Sequence, residues 1–261
     1  MKVKNDMKAL GVSNQKGGVA KTTNAINLSG AAAAEDLTVL AIDTDPQGYL
    51  TNNLGLRDAY TADSPTFYDM WLEPTDYDPA EIIVEHDEFD VLPSNVDMFN
   101  LEQDLIAAGW RVRERLEMIF DRLPEYDLVV VDAPPSLGPI NDNVLLATQN
   151  LVIPMEAKET SVLALDHLLT QIETLEDRFE VTINEEAVLI SDVDYPLDNE
   201  QKDMIEWIED TFDGRCPVYE IRNRAAIARA LKAGSSISGF DEACDQEPVY
   251  RKVIQNLEVA R

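Results

Sequence analysis

Short apolar runs alternate along this chain with stretches whose apolar residues recur at helical spacing. Ala9-Leu10-Gly11-Val12-Ser13 predicts a first strand, and the Ala-rich stretch from Thr22 to Glu35 predicts a helix. Leu37 to Ile42 reads as a second strand ending in Asp43, and Phe89 to Leu92 as a third. Leu128-Val129-Val130-Val131 is continuously apolar between Asp127 and Asp132, the pattern of a strand covered on both faces. Leu151 to Pro154 and Ala187 to Ile190 repeat that theme. Helical periods fall between them, at Leu101–Ala108, Val112–Leu123, Val162–Phe179 and Met204–Phe212. Strands that alternate with helices imply right-handed crossover units, hence an α/β fold with a doubly wound, mainly parallel sheet. No internal repeat or long linker is visible, so residues 1–261 read as one domain. The Pro- and Asp-rich stretch from Asp58 to Asp90 is the least regular and is expected to form long surface connections. Near the end, Val249, Val253, Ile254 and Leu257 stand at helical spacing within Val249–Ala260, which suits a helix packing on the sheet.

Composition changes this picture mainly through charge. Hydrophobic residues make up 45% of the 261 positions, enough for a sizeable core, yet 50 acidic residues face 21 basic ones, a net charge of −29. That excludes a generally basic nucleic-acid coat but leaves room for a local basic patch. The acids are spread among regular apolar runs, which argues against low-complexity disorder. Such dispersed acidity resembles that of cytosolic proteins from extreme halophiles, where molar salt shortens the Debye length to about 3 Å and screens self-repulsion. Two cysteines, Cys216 and Cys244, allow at most one bridge and lie far from the motifs described next. The start of the chain lacks the apolar core of a signal peptide, and no apolar run reaches the ~20 residues of a membrane span. The chain therefore reads as soluble and cytoplasmic, without stable membrane insertion.

The chemistry concentrates at Gln15-Lys16-Gly17-Gly18-Val19-Ala20-Lys21-Thr22-Thr23, between the first strand and the first helix. In that position a glycine-containing loop wraps phosphates with backbone N–H groups, aided by the positive end of the helix dipole. Gly17 and Gly18 permit close approach and positive φ, Lys21 reaches the β- and γ-phosphates, and the Thr22 hydroxyl ligates Mg²⁺. The generic pattern G-x-x-x-x-G-K-S/T is not met, because Gln15 and Ala20 occupy its glycine positions. With its second lysine, the string instead resembles the deviant Walker A motif K-G-G-x-G-K-S/T-S/T of the ParA/MinD superfamily of P-loop NTPases. The resemblance implies that residues 16–23 bind ATP and that Lys16 crosses a dimer interface to the partner's nucleotide. Ala20 departs from the motif's glycine; at positive φ an alanine costs about 1 kcal/mol or more.

Two further motifs fall where the resemblance expects them. Asp43-Thr44-Asp45-Pro46-Gln47-Gly48 resembles the D-x-D-P-Q-G switch I segment, which implies that Asp45 positions the attacking water and Asp43 supports the metal shell. Val129-Val130-Val131-Asp132-Ala133-Pro134-Pro135-Ser136 resembles a Walker B strand with its D-x-P-P switch II, which makes Asp132 a Mg²⁺ ligand, directly or through water. Ser64 to Asp69 and Asp90 to Asn95 look like segments of ParA/Soj partition proteins, favouring that branch over MinD.

From Arg215 to Lys232 the bases are Arg215, Arg222, Arg224, Arg229 and Lys232, and Glu220 is the only acid. Ile221-Arg222-Asn223-Arg224 is similar to the I-P-R-N-x-R segment with which ParA proteins bind DNA nonspecifically, though it lacks the proline. Arg222, Arg224, Arg229 and Lys232 are thus candidate phosphate contacts. The alternative is that they pair with the chain's own carboxylates. Together the resemblances imply an ATP-bound homodimer that binds nonspecific nucleoid DNA. Mg²⁺-dependent hydrolysis, stimulated by a ParB-like or other cargo adaptor, would release it and so position a plasmid, chromosome region or other cargo. Three rivals remain open: a nucleotide switch with little hydrolysis, a MinD-like membrane positioner using the terminal helix, and an iron-protein-like reductase. The last lacks bridging cysteines after switch II. His86 and His167 are not clustered, and Trp71, Trp110 and Trp207 are expected to serve packing.

Overall fold

The computed structural model describes residues 7–257 and 259. Seven strands form one sheet: β1 (Lys8–Val12), β2 (Val39–Asp43), β3 (Asp90–Leu92), β4 (Leu128–Asp132), β5 (Asn150–Glu156), β6 (Asn184–Val193) and β7 (Val218–Arg222). Their order is β3-β2-β4-β1-β5-β6-β7, and every strand pairing is parallel. Helices cover both faces, which is why β2 and β4 are buried at every position. Along β4 the side chains alternate between two cores. Leu128 and Val130 pack with Leu10, Val12 and the helix α1 (Lys21–Ala33), while Val129 and Val131 pack with Ala9, Trp71 and Leu105 on the other face. A third cluster joins β5 and β6 to the helices Thr160–Phe179 and Asn199–Phe212.

Register decides where the chemistry lies. Val12 on β1 and Asp43 on β2 both pair with Asp132 on β4. The carboxyl ends of these neighbouring strands therefore finish level, and the loops that follow them open on the same edge, where ligands bind in such sheets.

Every strand expected from the sequence is present, several with longer bounds. β7 and the helix Ala225–Lys232 were not anticipated, because Val218-Tyr219-Glu220-Ile221-Arg222 is a half-buried edge strand with alternating polarity rather than an apolar run. The helix Pro139–Thr148 also lies outside the sequence expectations, since Asn141, Asp142 and Asn143 interrupt its apolar period. The helix expected over Val112–Leu123 is shorter, Arg115–Phe120, and Arg111 before it has φ 45°. The stretch from Asp58 to Asp90 corrects the expectation of mere surface connections. Its helix Phe67–Leu72, whose start is held by Asp69 Oδ2 accepting from the Thr66 N–H at 2.8 Å, sends Phe67, Met70 and Trp71 fully into the core. Trp110, by contrast, is 57% exposed rather than packed.

The carboxy-terminal helix Glu247–Asn256 packs as expected: Tyr250, Val253 and Ile254 are buried in the core shared with α1. Its apolar residues are thus used inside the fold. Among the described residues no helix is long and apolar enough to cross a membrane. Arg261 and Ala260 lie outside the described residues.

Candidate functional site

The loop between β1 and α1 is pinned at its start by buried side chains. Ser13 Oγ donates to Asn141 Oδ1 at 2.7 Å, Asn14 Nδ2 donates to the Pro154 carbonyl at 2.7 Å, and Asn14 Oδ1 accepts from the Lys16 N–H at 3.0 Å. Gly18 has φ 79°, and a Cβ added at Gly17 or Gly18 would meet nothing within 4 Å, so open space lies against the backbone where a ligand would approach. Gly17 itself does not have positive φ, so it supplies room rather than left-handed geometry. Ala20 caps α1 at φ 63° and ψ 29°, fully left-handed. An alanine there costs about 1–2 kcal/mol, so the fold maintains the loop's shape against the residue's preference. Val19 is buried and Thr23 lies on the first turn of α1.

Lys21 is buried and its Nζ donates to the Lys16 carbonyl at 2.9 Å, curling back over the loop. Burial pushes its pKa down, against the attraction of Asp132 and Asp45. Asp43 is fully buried and anchors switch I. Its Oδ2 accepts from the Thr51 N–H at 2.9 Å and the Thr51 hydroxyl at 2.6 Å, and its Oδ1 accepts from the Asp45 N–H at 3.2 Å. Burial raises its pKa to about 7 in spite of those bonds. Asp45 is 7% exposed; its Oδ1 accepts from the Gln47 N–H at 2.9 Å, and its carbonyl accepts from the Ser94 hydroxyl at 2.7 Å. Burial raises its pKa, opposed by that N–H and by Lys21.

Asp132 is the least satisfied of these acids. It is 1% exposed and neither carboxylate oxygen has a well-formed hydrogen bond. Burial and the neighbouring Asp43 drive its pKa well up, while the Thr22 side chain pulls the other way. Such an orphaned buried carboxylate costs several kcal/mol unless something else neutralises it. The donor set fits Mg²⁺: a hydroxyl and a carboxylate are hard oxygen ligands, and this ion takes one or two protein oxygens plus phosphates and water. No group of three or more His, Cys, Asp or Glu able to hold a metal exists among the described residues, so the fit rests on Thr22 and Asp132. Asp43 stands behind them with its oxygens engaged by switch I.

The remaining expected residues fall elsewhere. Lys16 turns back within its own chain, its Nζ donating to Glu156 Oε2 at 2.6 Å and to Thr160 Oγ1 at 2.8 Å. Arg222, Arg224, Arg229 and Lys232 lie on β7, the turn after it and the next helix. Arg222 stacks its guanidinium 4.4 Å from the Tyr195 ring centroid, whereas Arg224 pairs with Asp245 and Arg229 with Glu242. Cys216 and Cys244 are both free thiols, so no bridge forms between them.

Two features escaped sequence reasoning. Ser94 and Thr51 tie switch I to the end of β3, the Ser94 N–H donating to Thr51 Oγ1 at 2.9 Å. The second is a cavity of about 340 Å³ beside the phosphate loop, between Ala20 and Asn24 on one side and Asp192, Arg222 and Asn223 on the other. Its floor is ordered by Tyr250, whose hydroxyl donates to Asn24 Oδ1 at 2.7 Å. No contiguous motif could have shown it, because its walls come from four separated segments.

A parallel sheet whose first crossover is a glycine-containing loop opening a helix, flanked by two acid-ended strands, is the fold of a P-loop nucleotide-binding protein. A family model described as an AAA domain, AAA_31, matches residues 7–185. The chromosome partitioning protein ParA of Caulobacter vibrioides is 27% identical over 256 residues, covering 97% of this chain and 94% of that protein. The sporulation initiation inhibitor Soj of Bacillus subtilis is 28% identical over 246 residues, covering 93% of this chain and 95% of Soj. Among solved structures, an ATP complex of Cyanothece McdA matches with a TM-score of 0.83 over 98% of each chain; at 24% identity that likeness carries the fold alone. The chain belongs to the AAA_31 family, as a ParA/Soj-type member of the ParA/MinD superfamily.

Proposed function

We infer that this protein is a Mg²⁺-dependent ATPase that couples hydrolysis to dimerisation and so positions DNA or another cargo. The observation that carries the reading is Asp132, a buried carboxylate whose oxygens have no well-formed hydrogen bond, near Thr22 and the open glycine loop. Bound there, Mg²⁺ would offset that buried charge and screen the phosphates. Backbone N–H groups of residues 16–23 hold the β- and γ-phosphates, Lys21 swings from the Lys16 carbonyl onto them, and the cavity lined by Asn24, Asp192 and Asn223 receives the nucleoside. Asp45 orients a water for in-line attack on the terminal phosphorus. The bond from that phosphorus to the bridging oxygen breaks, ADP leaves, and the water's proton passes to phosphate or solvent; positioning supplies most of the rate.

For Lys16 to serve a second subunit it must leave Glu156 and Thr160, which ties dimerisation to a change inside each chain. In this reading the dimer presents Arg222, Arg224, Arg229 and Lys232 to DNA phosphates, and a ParB-like adaptor stimulates release. Names of relatives that partition chromosomes support the positioning role. The test is phosphate release from ATP with and without Mg²⁺ in molar KCl, alongside light-scattering mass with ATP for the wild type and Lys16→Ala. Turnover that requires Mg²⁺, with dimers lost in the variant, is expected. Tight ATP binding without turnover would leave the nucleotide switch instead.

A further inference from the structure

The arginine segment is covered by a single short loop of the same chain. Arg224 donates from Nε to Asp245 Oδ1 and from Nη2 to Oδ2, both at 2.7 Å. Arg229 does the same to Glu242, from Nε to Oε2 at 2.7 Å and from Nη2 to Oε1 at 2.5 Å. The next residue of the loop, Gln246, accepts the Arg222 N–H at 2.8 Å and steadies Asp245 Oδ1 with its amide at 3.0 Å. Three of the four candidate phosphate contacts thus meet residues 242–246, and two of them meet a carboxylate in the two-pronged geometry with which a guanidinium also grips phosphate.

Both ends of the loop are fixed. Before it, the Ser236 N–H donates to Glu88 Oε1 at 2.9 Å, and Gly239 packs so closely on Glu88 that a Cβ would overlap the carboxylate. After it, Gln246 is buried and leads into the helix Glu247–Asn256. The two ion pairs between these roots are open to water, with side chains 34–53% exposed, and exposed pairs of this kind stabilise a fold little. They are poor candidates for structural bonds but well placed for exchange.

We propose that the loop Asp241–Asp245 is a built-in phosphate mimic. It occupies Arg224 and Arg229 in the free protein and is displaced from them, by side-chain rotation alone, when nucleic-acid phosphate arrives. The proposal rests on the DNA-binding reading given above. Two consequences follow. Binding is weaker than the arginines alone would give, and it is also less sensitive to salt. Each arginine that moves from carboxylate to phosphate leaves a carboxylate that takes up a cation, cancelling the cation released from DNA, which otherwise contributes a slope of about 0.9 per contact. The cavity beside the phosphate loop is lined by Arg222 and Arg224 themselves, so nucleotide occupancy and the arginine pairs share one segment of chain.

The test uses the full chain with ATP and a fluorescein-labelled duplex of random sequence, read by anisotropy across a KCl series in which circular dichroism confirms folding. Three proteins are compared: wild type, E242Q/D245N and R224A/R229A. The mimic predicts that E242Q/D245N binds about tenfold tighter at the lowest salt, with a log-affinity against log-salt slope steeper by about 1.8 for two uncompensated contacts. Equal affinity and slope in wild type and E242Q/D245N, with binding reduced in R224A/R229A, would overturn the mimic and leave the DNA reading standing. Failure of all three proteins to bind would overturn the DNA reading and the mimic with it. A change in thermal midpoint of E242Q/D245N without a change in slope would assign the pairs to the surface and also overturn it.

Discussion

The phosphate-loop edge of the sheet and the arginine segment after β7 treat charge in opposite ways. At the edge, Asp43, Asp45 and Asp132 are buried around Lys21, and Asp132 has no well-formed partner. Around Arg224 and Arg229 every guanidinium is matched by a carboxylate, yet those pairs lie in water. A buried acidic cluster with one cation and an unsatisfied carboxyl destabilises the free protein, and such clusters of perturbed groups are where binding sites are found. Compensated charge at the surface stabilises little and can be exchanged at small cost. The first region therefore speaks for a ligand from its own energetics, whereas the second acquires a partner only through competition.

Variants at the edge should break this contrast most sharply. Lys21→Ala should lower ATP affinity by about 100-fold or more, since it removes the buried cation of the loop proposed to hold the phosphates. Calorimetry showing retained micromolar affinity would refute the loop assignment. Asp45→Ala should cut phosphate release by about 100-fold, the usual worth of a positioned acid–base or orienting group, while ATP still binds. Wild-type phosphate release would show that another group positions the water. Asp132→Asn should do two opposite things. Urea unfolding of the nucleotide-free protein at pH 7 should show a gain of about 1–3 kcal/mol, because the amide removes the cost of burying or protonating a carboxyl whose pKa burial drives up, and Mg²⁺ should cease to strengthen ATP binding. If the variant is less stable and still responds to Mg²⁺, Asp132 is a structural residue. The smallest effect belongs to Ala20→Gly, which removes left-handed strain and should stabilise the fold by about 0.5–1 kcal/mol after glycine's entropy is counted. A loss of stability would mean that the methyl group packs favourably in the loop.

The same contrast explains what could be read before the structure. Motifs at the edge are contiguous in sequence because a strand, its loop and the next helix are contiguous in a crossover unit. Lys21, Thr22, Asp45 and Asp132 were therefore legible from three short strings, and the structure brings their strands to one level. The lysine at position 16 was legible as a residue, but its hold on Glu156 was not, because 140 residues separate the partners. Asp43 was legible as part of switch I, yet its clamp on Thr51 depends on how the chain turns after β2. For the arginine segment only the bases were visible. The loop that neutralises Arg224 and Arg229 is itself rich in acids, but in a chain of net charge −29 acids are everywhere and mark nothing.

Periodicity and local chemistry by themselves determined the alternating α/β architecture, the parallel sheet and the place of a glycine-containing loop between the first strand and the first helix, because each depends on neighbours within one turn, one strand or one crossover. The tertiary structure alone decided three matters: the cavity walled by four segments, the left-handed backbone at Ala20, and which carboxylates are satisfied. Each of these turns on distances between residues far apart in the chain, set by strand register and helix packing. Only there does it emerge that Asp132 is left without a well-formed partner while Asp245 already holds an arginine.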